Sequence, residues 1–165
     1  MKSIVLAGGC FWGVEAYFKQ LKGVMETSVG YVDGNKRNPS YEEVCNGKAS
    51  HTEACRVVYD ENVITLEQVI EHFFRIINPF TVNRQGNDVG PQYRSGIYYE
   101  DRNDEDPLYD IMEKLFGDNI LKVATTVQEN LDYDLAEAYH QDYLAKNPNG
   151  YCHVNLGLAK PQEKK

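Results

Sequence analysis

Long apolar runs, cysteine and positive charge are all scarce in this sequence. No window approaches the ~18 apolar residues of a membrane-spanning helix. The apolar run Ile4–Ala7 behind a lone Lys2 is also shorter than the ~7–15 residues of a signal-peptide core. The expectation is a soluble, unprocessed chain with no membrane partner. Lys and Arg number 17 against 25 Asp and Glu, leaving a net charge of −8. Nucleic acid as a partner needs a basic patch, and the only basic cluster is the short, interrupted Lys160–Lys165 tail. Four cysteines in 165 residues are too few for a disulfide framework, which argues for a reducing cytoplasm. A zinc module is disfavoured as well. There is no C-x-x-C and no H-x-x-x-H, and the nearest cysteine pair, Cys45 and Cys55, has nine residues between.

What is present is ordinary globular composition, 42% hydrophobic and 25% charged, in a length suited to one domain over residues 1–165. Ser3–Ala7 reads as a short strand that stops at Gly8-Gly9. A helix follows with Val14, Phe18 and Leu21 on one face. Val24–Val32 and His51–Tyr59 read as strands. Thr65 and Gln68 form a capping box for a helix that ends at Asn78-Pro79. Thr81–Gln92 is a polar, glycine-bearing loop of the kind that carries sites. Tyr93–Tyr99 is a strand, Asp106-Pro107 opens another helix, and Leu121–Val127 is a strand. Asp134–Lys146 is expected to be helical with Leu135, Tyr139 and Tyr143 on one stripe. From about residue 147 the chain reads as a flexible segment. Interspersed strands and helices predict an α/β (α+β) fold, a mixed sheet with helices in two layers.

The opening "KSIVLAGGCFWG" places Cys10 at a strand-to-helix turn. Orphan N–H groups and the positive end of the helix dipole there favour a thiolate. Phe11 and Trp12 are unusual in a first helical turn and face the same opening. Position alone leaves two readings open: a displayed nucleophile, or a small buried hydrophobe with two aromatic fillers.

The segment "GCFWG" resembles the active-site signature of the A-type peptide methionine sulfoxide reductases. "NPSYEEVCNGKASHTEA" (38–54), "RQGNDVGPQYRSGIYY" (84–99) and "YHQDYLAKNPNGYCHV" (139–154) resemble further segments of that family, in the family's order. The resemblance implies reduction of methionine-S-sulfoxide, protein-bound or free, as a repair reaction. It makes Cys10 the nucleophile, Glu53 the acid and Cys152 the resolving thiol. It also makes Phe11 and Trp12 an aromatic cup, and Tyr41, Asp88 and Tyr93 substrate-binding residues. No cysteine follows Cys152, so the implied cycle is a Cys10–Cys152 disulfide opened by thioredoxin or a similar dithiol. No cofactor and no metal are implied, and a monomer is expected.

Residue chemistry supports the acid independently. His51, Glu53, Cys55, Val57 and Tyr59 share one strand face, and a carboxyl on a half-buried face is pushed toward its neutral, proton-donating form. The strand pattern by itself equally allows the commoner case, a surface glutamate on the solvent side. Cys45, Cys55, His51 and His72 read as structural, while His140 and His153 lie where they could tune the C-terminal loop. The rival functions are a thiol peroxidase, a Cys-His acyl transferase and a non-enzymatic metal or redox module. The aromatic pair beside the thiol favours a thioether sulfoxide over peroxide.

Overall fold

The computed structural model describes residues 1–165. Its centre is a six-stranded mixed sheet, built from β1 (Lys2–Ala7), β2 (Val24–Val32), β3 (Thr52–Tyr59), β6 (Gly96–Tyr99), β7 (Thr126–Glu129) and β8 (Asp134–Leu135). The order across the sheet is β7-β6-β1-β3-β2-β8. All neighbouring pairs are antiparallel except β6 and β7, which run parallel. Two further short strands, β4 (Arg84–Gln85) and β5 (Asp88–Val89), make a separate hairpin. The helices are α1 (Phe11–Lys19), α2 (Tyr41–Cys45), α3 (Leu66–Ile76), α4 (Glu105–Phe116) and α5 (Tyr143–Lys146).

Alternation along the strands sorts side chains onto two faces. Ile4 and Leu6, Val29 and Tyr31, Cys55 and Val57, and Ile97 pack against Val14 and Phe18 of α1, Ile70 and Phe73 of α3, and Leu108 of α4. Each such aliphatic or aromatic side chain contributes about 1.5–3 kcal/mol by leaving water. The other face buries the smaller set Val5, Ala7, Val32, Ala54 and Tyr98, with Tyr133 laid over it. The α3 capping box is present as the sequence predicts: Thr65 accepts from the Gln68 N–H, and Gln68 accepts from the Thr65 N–H.

The register of the sheet sets up the site. β1 pairs with β3 so that Leu6 faces Cys55. Continuing that register brings Glu53 level with Gly8, at the turn that leads into Cys10. Gly9 takes that turn with φ of 80°, a conformation that glycine adopts without steric cost.

Three expectations are corrected. The Leu121–Val127 strand is displaced: Gly117–Lys122 is 3-10 helix, and the strand β7 begins at Thr126. Helix α4 starts at Glu105 with Asp104 as its N-cap, ahead of Asp106-Pro107. The helix over 134–146 is broken into β8, a 3-10 turn at Ala138–His140 and α5. Its polar side chains serve the adjacent strand instead. Gln141 Oε1 accepts from the Val29 N–H and Gln141 Nε2 donates to the Val29 carbonyl. Asp134 accepts from Arg37 and from the Asn38 N–H. These long-range bonds outweigh local helix propensity. Helix α2 escaped the sequence reading, although Ser40 and Glu43 form its capping box.

Candidate active site

Cys10 is the N-cap residue of α1, with φ −58° and ψ 126°, and its side chain makes no capping bond. The first free N–H of the helix, on Phe11, donates instead to Glu53 Oε1 at 3.2 Å. A carboxyl from β3 thus caps a helix distant in sequence and meets the positive end of its dipole. Glu53 is only 1% exposed. Burial pushes its carboxyl up to about 8, against the pull of the Phe11 N–H and with a further push from Asp88. At neutral pH it therefore holds a proton for most of the time.

The thiol of Cys10 is pushed well above its ordinary value, first by burial and then by Glu53, while a backbone hydrogen bond at Trp12 opposes the shift. The helix terminus that predicts a thiolate is in place, but desolvation outweighs it. Tyr41 and Tyr93 are also pushed up by burial, with Glu53 adding to both and a side-chain hydrogen bond to Cys45 acting on Tyr41. Both phenols remain hydrogen-bond donors. The site holds a buried thiol with three protonated oxygen acids around it.

Phe11 is buried and Trp12 half-buried. They meet at His140, which is 1% exposed. Trp12 Nε1 donates to His140 Nδ1 at 3.0 Å. Because indole only donates, the neutral imidazole carries its proton on Nε2. Phe11, Tyr41 and Tyr139 surround the same ring at centroid distances of 5.0, 4.5 and 4.2 Å, and burial lowers its pKa. Trp12 stacks on Tyr143 at 3.7 Å and 9°. The Trp12 ring is thereby held on one side by α5 and at its edge by His140.

Two carboxylates position this wall. Glu137 accepts from Tyr31 Oη at 2.8 Å and from the Tyr41 N–H at 2.9 Å. Glu15, buried within α1, accepts from Thr27 Oγ1 and from the Asp142 N–H, fixing the left-handed Asp142 (φ 58°) that precedes Tyr143. Sequence reasoning gave Tyr143 only a place on a helical stripe and passed over Glu15 and Glu137. The signal available was the spacing of His140 and Tyr143 three apart in "YHQDYL"; the two glutamates look like any surface charge.

Asp88 lies on the β4–β5 hairpin, and its charge adds to the burial that pushes the Tyr151 phenol up to about 12. Cys152 is half-buried, and all four cysteines are unbridged. A β-carbon built at Gly13 would lie 3.1 Å from Cys152 Sγ, so this sulfur rests on the first turn of α1, the turn that Cys10 begins. Cys55 is fully buried in the core. Cys45 is exposed, with its thiol pushed up by burial of the sulfur.

A mixed α/β sheet carrying a thiol at a strand-to-helix turn, a proton-loaded carboxyl beside it and a second thiol on the same helical turn defines a thiol-dependent oxidoreductase. The family model described as "Peptide methionine sulfoxide reductase" matches residues 2–165. A peptide methionine sulfoxide reductase MsrA of Clostridium tetani is 51% identical over 156 residues, 94% of this chain and 95% of its own. One of Mycoplasma genitalium is likewise 51% identical, over 94% of this chain and 99% of its own. Among solved structures, Mxr1 of Saccharomyces cerevisiae in reduced form superposes with a TM-score of 0.86 at 39% identity, covering 93% of this chain and 91% of that one. Mxr1 in complex with Trx2 matches with a TM-score of 0.59 at 29% identity, covering 86% and 84%. The chain belongs to the peptide methionine sulfoxide reductase family.

Proposed function

We propose that Cys10 attacks the sulfur of a methionine-S-sulfoxide, free or within a protein, and that Glu53 protonates the departing oxygen. The observation that carries this reading is the Glu53 carboxyl, buried against the α1 N-terminus and loaded with a proton up to about pH 8. As the thiol sulfur bonds to the substrate sulfur, Glu53 gives its proton to the sulfoxide oxygen and the thiol's proton restores Glu53. The protonated oxygen then passes from the substrate sulfur to the Cys10 sulfur as the substrate S–O bond and the transient S–S bond break. This leaves a sulfenic acid on Cys10 and releases methionine. Tyr41 and Tyr93 donate hydrogen bonds to the same oxygen. The Phe11–Trp12 wall receives the S-methyl group, with ring faces suited to a partly positive sulfur. Asp88 orients the substrate from the hairpin.

Cys152 then condenses with the sulfenic acid, and a thioredoxin-type dithiol reopens the Cys10–Cys152 disulfide; the Mxr1–Trx2 complex supports such a partner. The whole chain acts as one catalytic domain whose segment from about 147 moves during this step. No helix is long and apolar enough to cross a membrane, and the dependence on a dithiol reductant fits a cytoplasmic enzyme.

The test is a single-turnover reaction of reduced protein with separate S and R epimers of a blocked methionine sulfoxide, followed by mass mapping of the cysteines. Methionine from the S epimer alone, with a Cys10–Cys152 bond afterwards, is the expected result. No methionine from either epimer, with rapid consumption of peroxide, would favour the peroxidase alternative.

A further inference from the structure

We propose that His153 is a positioning residue for disulfide formation, pinning the Cys152 segment to the Cys10 turn through the Gly8 carbonyl. This rests on the proposed thiol cycle and adds to it a residue that touches neither substrate nor sulfur. His153 Nε2 lies 2.9 Å from the Gly8 carbonyl oxygen. A carbonyl only accepts, so the ring donates and Nε2 carries the proton. Gly8 is two residues before Cys10, and His153 is one residue after Cys152. A single hydrogen bond therefore ties together the two backbone stretches whose sulfurs must meet.

The fit around the ring is close. A β-carbon at Gly9 would come within 2.7 Å of His153 Nε2, so only glycine there leaves room for the imidazole. The ring's other nitrogen is held by nothing. Nδ1 stands 3.8 Å from Asp88 Oδ2, too far for a hydrogen bond, and both atoms are buried without a partner. The ring is thus held through one nitrogen only, beside the buried Val154. Cys152 Sγ currently donates to the Val154 carbonyl at 3.2 Å, a contact that must break before it reacts.

The step served is condensation. The Cys152 sulfur forms the S–S bond as the S–O bond of the Cys10 sulfenic acid breaks. The leaving hydroxide takes the thiol's proton and departs as water. The sulfenic sulfur is reduced and the thiol oxidised, so no outside oxidant or reductant is needed.

The experiment compares His153→Phe and His153→Gln with the unmodified protein, after one turnover with methionine-S-sulfoxide. Methionine release reports the first step, and trapping of the sulfenic acid by a dione probe reports the second. We expect methionine at the normal rate in both variants. Disulfide formation should be about tenfold slower in His153→Phe, the scale of one lost hydrogen bond, and largely restored in His153→Gln, whose amide N–H can reach the Gly8 carbonyl. Normal disulfide formation in His153→Phe would overturn the proposal, and so would an equally slow His153→Gln, which would mean that ring packing alone matters. Absence of methionine from the unmodified protein would overturn the thiol cycle instead. Should the Phe variant fail to fold, 15N spectra of the native imidazole decide: a slowly exchanging Nε2–H is expected, and a proton on Nδ1 alone would refute the anchor.

Discussion

Glu53 is where one side chain serves the fold and the proposed chemistry at once. Its folded pKa of about 8 stands above the ordinary 4.5, so the folded protein binds one proton more than the unfolded chain between those values. Stability from this group is complete below about pH 4.5 and falls as pH rises through about 8, by a few kcal/mol in order of magnitude. Glu53→Gln removes the charge that must otherwise be buried. The variant should therefore resist urea better than the unmodified protein at pH 8.5 and lose the pH dependence over this window. Under the proposed mechanism the same change slows methionine release about 100-fold, since an amide is a poor proton source. In the unmodified protein, single-turnover rates should decline above about pH 8. An Glu53→Gln protein that is both less stable at pH 8.5 and fully active would place the acid elsewhere. Cys10 teaches the complementary lesson: a helix N-terminus alone does not make a thiolate when the sulfur is 8% exposed beside a carboxyl.

At the level of elements, the aromatic wall depends on how β8 docks against β2. Gly30 pairs with Leu135, and a β-carbon there would lie 2.4 Å from the Asp134 carbonyl oxygen and 2.6 Å from the Tyr133 ring. Backbone cannot yield cheaply, so Gly30→Ala should cost about 1–3 kcal/mol in urea unfolding. Because β8 leads directly into His140 and Tyr143, the damage should reach the site. Trp12, the only tryptophan, reports it: its emission should shift to the red as the Tyr143 stack and the His140 bond loosen, with a rise in KM for the sulfoxide. Unchanged emission would mean that the wall is held by Glu15 and Glu137 independently of β8.

Over the whole molecule, the chain's last residues are tied back to α1 and α3, beyond the segment that carries Cys152. Arg75 donates to both carboxylate oxygens of Glu163, at 2.8 and 3.2 Å, and to the Leu158 carbonyl at 3.1 Å. Lys164 bridges to Leu21, and the Lys165 N–H donates to Gln20. The moving part of the proposed cycle is therefore held twice on its C-terminal side, by the His153 anchor and then by this clamp. Arg75→Met should cost about 1 kcal/mol, as expected of a partly exposed forked ion pair. It should also speed hydrogen exchange across residues 156–165 and leave methionine release unchanged. Acid should act on the same clamp. The Arg75 guanidinium holds Glu163 down to about 2 against an ordinary 4.5, so its contribution is present above 4.5 and is lost as pH falls toward 2. Exchange that stays slow in Arg75→Met would assign the tail's order to the buried Ala159 and Val154 instead.

The sequence by itself determined the strand-to-helix turn at Cys10, the apolar stripes of α1 and α3, the α3 cap, and the face on which Glu53 stands. These follow from periodicity and nearest neighbours, which a linear chain displays. It also carried the family's segments in order, enough to mark Cys10, Glu53, Tyr41, Asp88, Tyr93 and Cys152 as residues to follow. Only the tertiary structure decided that 134–146 is not a helix, since Gln141 and Asp134 answer to β2 and to the loop after it. It alone brought Glu53 to cap α1, enclosed His140 in four rings and set His153 under Gly8. The physical reason is common to all of these. Desolvation and long-range hydrogen bonding sum over everything that surrounds a group, and those surroundings exist only once the sheet has brought distant segments together.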